Sequence, residues 1–272
     1  MKGMKKVAVM AMLWSTVSYV SRAEQIVVDG STTVGPIAKA FAEYLMRQHP
    51  GLQITVSESG SGNGAKSLIN GTCHVATMSR PMRPAELKAA AVKGVNPVEH
   101  VIAMDGLPVL VHPSNPIKNL TLTQLRDIYF GRIGNWKWLG GPNLKIVRIS
   151  RDTNSGTYEC FNEMVMNRTR MAGDVEYVGS NGAVRQRVQS TPGAIGYAGL
   201  GFVDKTVKAV AINGIAPSAE TVLDRSYPLS RPLYMYTNGE PATNTLLHKF
   251  IYFCNTPEGK QIISSIGFVP LP

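Results

Sequence analysis

A chain of 272 residues with 44% hydrophobic and 17% charged residues has the composition of a soluble globular protein, which excludes a disordered or fibrous one. Its formal charge of +10 comes from 28 Lys and Arg against 18 Asp and Glu, scattered without a basic run, so nucleic acid is not an expected partner. The length suits two modest domains.

The first 23 residues read as an export signal. Lys2, Lys5 and Lys6 form a positive start, 7–20 is uncharged and mostly apolar, and Ser21 and Ala23 place small residues at the cleavage positions, leaving Glu24 first. The apolar run is shorter than the about 20 residues a membrane span needs. No cysteine stands near Ala23 for lipid attachment, and no later stretch is long and apolar enough to span. Loss of Lys2, Lys5, Lys6 and Arg22 takes the formal charge from +10 to +6. In an exported chain two of Cys73, Cys160 and Cys254 could form a disulfide with the third a buried thiol, and the sequence does not choose the pair. His49, His74, His100, His112 and His248 form no close ligand cluster, so they read as structural and no metal or cofactor is called for.

After the leader, short β-branched runs alternate with helical patterns. IVV at 26–28 is a strand. A helix follows from Pro36 to Gln48, with Pro36 suited to its first position and Ile37, Phe41 and Leu45 forming one buried stripe. LQITV at 52–56 is a strand, a helix begins after Gly64, HVATM at 74–78 is a strand, and 84–93 is an Ala-rich helix stopped by Gly94. Residues 101–112 read as the next strand. NLTLTQLRDIYF is then a helix capped by Thr121 or Thr123, KIVRIS a strand, and a further helix opens near Ser155. GAIGYAG, VKAVAI and PLYMYT are strands, and 242–253 and 257–266 close the chain as two amphipathic helices. Such alternation is the pattern of parallel βαβ units. Two series with no linker between them imply a hinged body with two α/β lobes, residues 24–104 plus 231–272 and residues 105–230.

Three segments share one arrangement, in which a strand ends, a Gly-, Ser- and Thr-rich loop follows and a helix begins. They are GSTTVGP at 30–36, GSGNGAKS at 60–67 and RDTNSGT at 151–157. Each sets hydroxyls and free backbone N–H groups at a helix N-terminus, where the first N–H groups lack intrahelical partners and the macrodipole favours an anion. Capping alone accounts for one such loop. Three of them, one preceded by Arg151, point to an oxyanion held at the carboxyl ends of strands. GSGNGAKS falls short of a P-loop because Ala65 stands where GxxxxGK[ST] has its second glycine.

The three loops, together with ATMSRPM at 76–82, IYFGRIGNWKWLGGPN at 129–143, GAIGYAG at 193–199, YPLSRPLYMY at 227–236 and FIYFCNTPEGKQIISSIGFVPL at 250–271, resemble the phosphate-binding proteins of bacterial ATP-driven phosphate importers. The resemblance spans essentially the whole mature chain. It implies the type II periplasmic binding-protein fold with two mixed-sheet lobes joined by two hinge crossings, a periplasmic monomer, inorganic phosphate as ligand, the membrane permease of an ABC transporter as partner, and no enzymatic activity. Carried over residue by residue, it assigns phosphate to Thr32 and Thr33 with Ser31 adjacent, to Ser61, to Arg151, and to Ser155, Gly156 and Thr157. Arginine suits position 151 because its planar fork donates two parallel hydrogen bonds to one oxyanion. The alternative for Arg151 is a surface salt bridge to Asp152 or another acid.

One position departs from the family's pattern. Where some members carry an aspartate that accepts the proton of the bound phosphate, this chain has Ser79 followed by Arg80. Selecting a protonated ligand needs an acceptor, because an unpaired buried carboxylate penalises the wrong anion. Asp105, in MDGLP where the chain first crosses between lobes, is the candidate replacement, with a hinge aspartate bonded to nearby backbone as the alternative. Other readings are another oxyanion such as sulfate or molybdate, a phosphate sensor without a permease, and a secreted hydrolase using Ser61 or Ser155. The last lacks a histidine in the loops and a GxSxG elbow.

Overall fold

The structure, a computed structural model, describes residues 25–272; the expected leader and its cleavage point after Ala23 lie outside the described residues. The first half of the chain runs β1 (Gln25–Gly30), α1 (Gly35–Gln48), β2 (Gln53–Ser57), α2 (Ser61–Ile69), β3 (Val75–Met78), α3 (Pro84–Val92), β4 (Pro97–Gly106), β5 (Val109–Val111), β6 (Asn119–Leu120) and α4 (Leu122–Tyr129). The second half runs β7 (Val147–Arg151), α5 (Gly156–Met164), β8 (Glu176–Val178), α6 (Asn181–Gln189), β9 (Ala194–Tyr197), β10 (Lys208–Ile212), α7 (Ala219–Leu223), β11 (Ser230–Asn238), α8 (Leu246–Tyr252) and α9 (Pro257–Ser265).

These strands form two sheets. The first has the order β2-β1-β3-β11-β4, with β1, β2 and β3 parallel and β11 antiparallel to both its neighbours. The second has the order β6-β10-β5-β9-β7-β8, with β7 parallel to β8 and β9, and β5 antiparallel to β9 and β10. The mixed sheets follow from chain crossings: β11 returns from the second half of the chain into the first sheet and must run against β3. The chain passes between sheets at 107–108 and again just before β11, and its tail returns to pair Val269 with Met104.

Each sheet buries its own core. In the first lobe the α1 stripe of Ile37, Phe41 and Leu45 is buried, with the Phe41 and Phe253 rings edge to face at 4.9 Å. Full burial of each such side chain contributes about 1.5–3 kcal/mol. In the second lobe Trp136, Tyr129, Phe161 and Tyr197 are wholly buried, Phe161 stacking flat on Tyr197 at 3.8 Å.

Several expected elements shift. The 101–112 strand is two, β4 and β5, because the chain turns between sheets at Leu107 and at Pro108, which has no N–H to continue a ladder. The helix expected after Gly64 begins at Ser61, since Gly60 at φ +100° ends the loop and leaves the next glycines free to enter the helix. Thr121, not Thr123, caps α4, its hydroxyl accepting from the Gln124 N–H. The C-terminal helices are shorter, and α6, α7 and β8 were not anticipated. Cys73, Cys160 and Cys254 are all free and buried, so no disulfide forms among them.

Candidate anion site

The carboxyl ends of β1, β2 and β7 bring the three loops together where the lobes meet. Ser31 shapes the first loop: its N–H donates to Thr77 O at 2.8 Å, and its hydroxyl accepts from the N–H groups of Thr33 and Val34 at 3.1 and 3.3 Å. It is thus a turn-forming residue that aims Thr32 and Thr33. Ser61 opens α2, and its hydroxyl accepts from the Ser79 N–H at 3.1 Å and lies 3.4 Å from the Ser79 hydroxyl. Ser155 caps α5 by accepting from the Tyr158 N–H. That leaves Gly156 and Thr157 as the first two helical residues, whose N–H groups have no intrahelical acceptor.

The two lobes touch through these same loops. The Thr33 and Thr157 hydroxyls are 3.0 Å apart, and the Gly62 N–H donates to Asn154 O at 3.0 Å. Gly156 permits the approach, because a Cβ there would lie 2.5 Å from the Ser61 hydroxyl and 2.7 Å from that of Ser79. Thr32, Thr33, Ser61, Ser79, Ser155 and Thr157 are all buried.

Arg151 is 1% exposed at the end of β7. Its Nε and Nη2 donate to the carbonyls of Val178 and Gly179 at 3.2 and 2.8 Å, while Nη1 is buried without a hydrogen-bond partner among the described residues. The alternative pairing with Asp152 does not form. Burial holds the guanidinium down to about 10, with Asp152 opposing and Arg231 assisting. A buried cation with a spare donor and no counterion is half of a charge-assisted pair.

Two expectations are corrected. Arg80 is committed elsewhere: Nη1 and Nη2 donate to the two Glu86 oxygens at 2.8 and 2.7 Å, and Nε lies 2.7 Å from Glu159. Glu86, six residues on, and Glu159, brought in only by folding, occupy this guanidinium, although its Nη2 stays beside Gly62. Asp105 is not a free acceptor either. Its Oδ2 accepts from Arg231 Nε and Nη2 at 3.0 and 2.8 Å, and its Oδ1 from the Leu200 N–H at 2.8 Å. Burial pushes its carboxyl above the usual range, against the pull of Arg231 and of the Leu200 and Gly106 N–H groups. Asp105 therefore anchors an arginine at the hinge.

Sequence reasoning missed Arg231 and Asn181. Arg231 is 2% exposed and donates to Ser79 O at 3.1 Å and to the Thr157 hydroxyl at 3.0 Å. Asn181 donates from its amide to Thr32 and Thr33 at 3.2 and 3.0 Å and accepts from the Gly199 N–H. The YPLSRPLYMY segment held the one available signal for Arg231, an arginine at the start of a buried strand. Among the described residues no group of three or more His, Cys, Asp or Glu could hold a metal ion, and no helix is long and apolar enough to cross a membrane.

Comparison with known proteins places this geometry in context. Residues 18–258 match the PBP superfamily domain. Protein SphX of Synechococcus elongatus is 34% identical over 91% of this chain and 77% of its own length, and the phosphate-binding protein PstS of Staphylococcus saprophyticus is 34% identical over 90% and 79%. A Clostridium perfringens protein described as a phosphate ABC transporter substrate-binding protein, solved with bound phosphate, superposes with a TM-score of 0.83 at 33% identity, covering 92% of this chain and all of that one. With relatives at about a third identity along nearly its whole length, the chain belongs to the phosphate-binding proteins of the PBP superfamily, which have the type II periplasmic binding-protein fold.

Proposed function

We propose that this protein captures inorganic phosphate between its lobes and hands it to the permease of an ABC transporter. The observation that carries this is the buried Arg151, whose Nη1 has no protein partner at the point where three helix N-termini converge. Arg151 supplies the charge, Thr32, Thr33, Ser61 and Thr157 supply hydroxyls, and the N–H groups at Gly156 and Thr157 supply the helix-terminus donors. Ser155 and Ser31 hold those donors in place. The family is one of solute-binding transport proteins, and the site has no histidine beside Ser61 or Ser155 to activate a nucleophile, so binding without turnover is the reading. The lobes are residues 24–104 plus 231–272 and residues 105–230, hinged near 104 and 230, and the mature chain acts in the periplasm as a monomer after loss of the leader.

Titration calorimetry with phosphate, paired with an assay against phosphate esters, tests this. Tight binding of free phosphate with no ester hydrolysis is expected; hydrolysis would move the protein to another class, and no phosphate binding would end the proposal. A second oxyanion reading stays alive through Asp105, because its engagement by Arg231 removes the acceptor on which rejection of sulfate would rest.

A further inference from the structure

The buried arginines around the cleft are not equally paired. Arg80 is matched by Glu86 and Glu159, and Arg231 by Asp105, but Arg151 has no carboxylate on it. Asp105 is the one acid among the described residues that is fully buried, and both its oxygens are engaged. At the position where an acidic acceptor was sought, Ser79 has its hydroxyl beside Ser61, and its carbonyl accepts from Arg231 Nη1 and from the Cys160 thiol at 3.3 Å. Arg151 keeps its charge uncompensated where the loops meet, and the cleft offers no spare carboxylate to a ligand proton.

Arg231 also acts on the ligating hydroxyls. A hydroxyl has one hydrogen and two lone pairs. The Thr157 oxygen accepts from Arg231 Nη2, and the Thr33 oxygen accepts from the Asn181 amide with Arg231 Nη2 at 3.5 Å. With donors on their lone pairs, one of these hydroxyls gives its hydrogen to the other across their 3.0 Å contact, and the second is left to give its own, which is what an oxyanion requires.

We propose that Arg231 is a positioning residue of the anion site, anchored by Asp105 and aiming the Thr33 and Thr157 hydroxyls, and that the cleft selects its oxyanion by charge, taking the dianion. The proposal rests on the phosphate reading above. The titratable groups facing Arg231 are Asp105 from β4, Arg151 from β7, Cys160 from α5 and Tyr234 on β11, with Tyr227, just before β11, facing Asp105. Burial pushes Cys160, Tyr227 and Tyr234 upward and leaves Arg151 at about 10. Phosphate itself, whose second ionisation falls near neutrality, is then the group that titrates there; sulfate stays a dianion throughout.

Calorimetry of the intact protein with inorganic phosphate and with sulfate, at about pH 6 and about pH 8, reads this directly. Phosphate affinity is expected to fall roughly tenfold at the lower pH as the dianion is depleted, with sulfate affinity unchanged by pH and within about tenfold of phosphate at the higher pH. Arg231→Lys keeps a cation against Asp105 but cannot fork to Thr157, so it is expected to melt near wild type yet bind both anions at least about tenfold more weakly. Phosphate affinity flat with pH alongside no sulfate binding would overturn charge selection. Full affinity in Arg231→Lys would overturn the positioning role. Failure of the wild type to bind phosphate at either pH would instead remove the phosphate reading, and this proposal with it.

Discussion

Arg151 and Arg231 are both buried guanidinium groups, and they make opposite demands on the fold. Arg231 forks onto a carboxylate, whereas Arg151 rests on two carbonyls and keeps its charge uncompensated. Held down to about 10, below the ordinary guanidinium range, Arg151 costs the folded protein about 3 kcal/mol at neutral pH. Its folded pKa lies below the unfolded one, so the unfolded chain binds more protons from about pH 10 up to the ordinary guanidinium range, stability rises across that interval, and the cost is present in full below it. Arg151→Gln is therefore expected to weaken phosphate binding at least about a hundredfold while leaving the ligand-free protein as resistant to urea as wild type, or more so. A loss of more than about 2 kcal/mol in urea would make Arg151 a framework residue instead. Asp105→Asn should behave in the reverse sense: it strips Arg231 of its counterion, so urea denaturation is expected to show a loss of about 3 kcal/mol before any ligand is added. The sequence made Arg151 legible because it ends a strand and opens a Ser- and Gly-rich helix start. Arg231 was not legible because no such loop surrounds it and its partner Asp105 lies 126 residues away. Arg80 was misplaced for the same reason, since only folding brings Glu159 beside it.

The helix starts show where local grammar succeeds and where it stops. Hydroxyl caps and anion-binding termini use the same residues, so the positions of the loops could be read while their convergence could not. GSGNGAKS is the instructive case. Treated as a phosphate-cradling loop, it is in fact the first two turns of α2, and its glycines serve packing. Gly64 sits against β1, where a Cβ would lie 2.7 Å from Gly30 Cα and 2.8 Å from Asp29 O. Both obstacles are backbone, so neither can step aside. Gly64→Ala is expected to push α2 off the sheet and destabilise the protein by about 1–3 kcal/mol in urea, even though alanine is the better helix former by about 1 kcal/mol. A stabilised variant would mean that α2 can shift without strain. Ala65, the residue that spoils the P-loop pattern, is wholly buried one position further on.

At the scale of the molecule, the two lobes are fastened at one edge of the cleft by an ion-pair cluster. Glu159 on α5 lies 2.7 Å from Arg80 Nε, accepts from Arg83 Nε at 2.6 Å and also pairs with Arg83 Nη2, while Glu86 grips Arg80 from the other side and accepts from the Arg83 N–H at the start of α3. Arg83 is half-exposed, so its pairing contributes at most about 1 kcal/mol; Arg80 is 5% exposed at its side chain, and its charge attraction to Glu159 is better shielded from salt. The Glu159 contacts cross between lobes and can contribute only when the lobes meet, so they weight the closed state without touching the anion. Beneath them, Cys160 donates across the cleft to Ser79 O, and burial raises its thiol well above the reactive range. Cys160 therefore reports closure, whereas Cys73 and Cys254, raised to about 12 and about 11 within the cores, do not. Alkylation followed by mass spectrometry is expected to show Cys160 labelled faster in ligand-free protein than in saturating phosphate, with Cys73 and Cys254 slow in both. Glu159→Gln should raise the Kd for phosphate about threefold to tenfold, speed Cys160 labelling at subsaturating phosphate, and lose part of its effect at high salt. Equal labelling of Cys160 with and without phosphate would show that the lobes do not part when the ligand leaves.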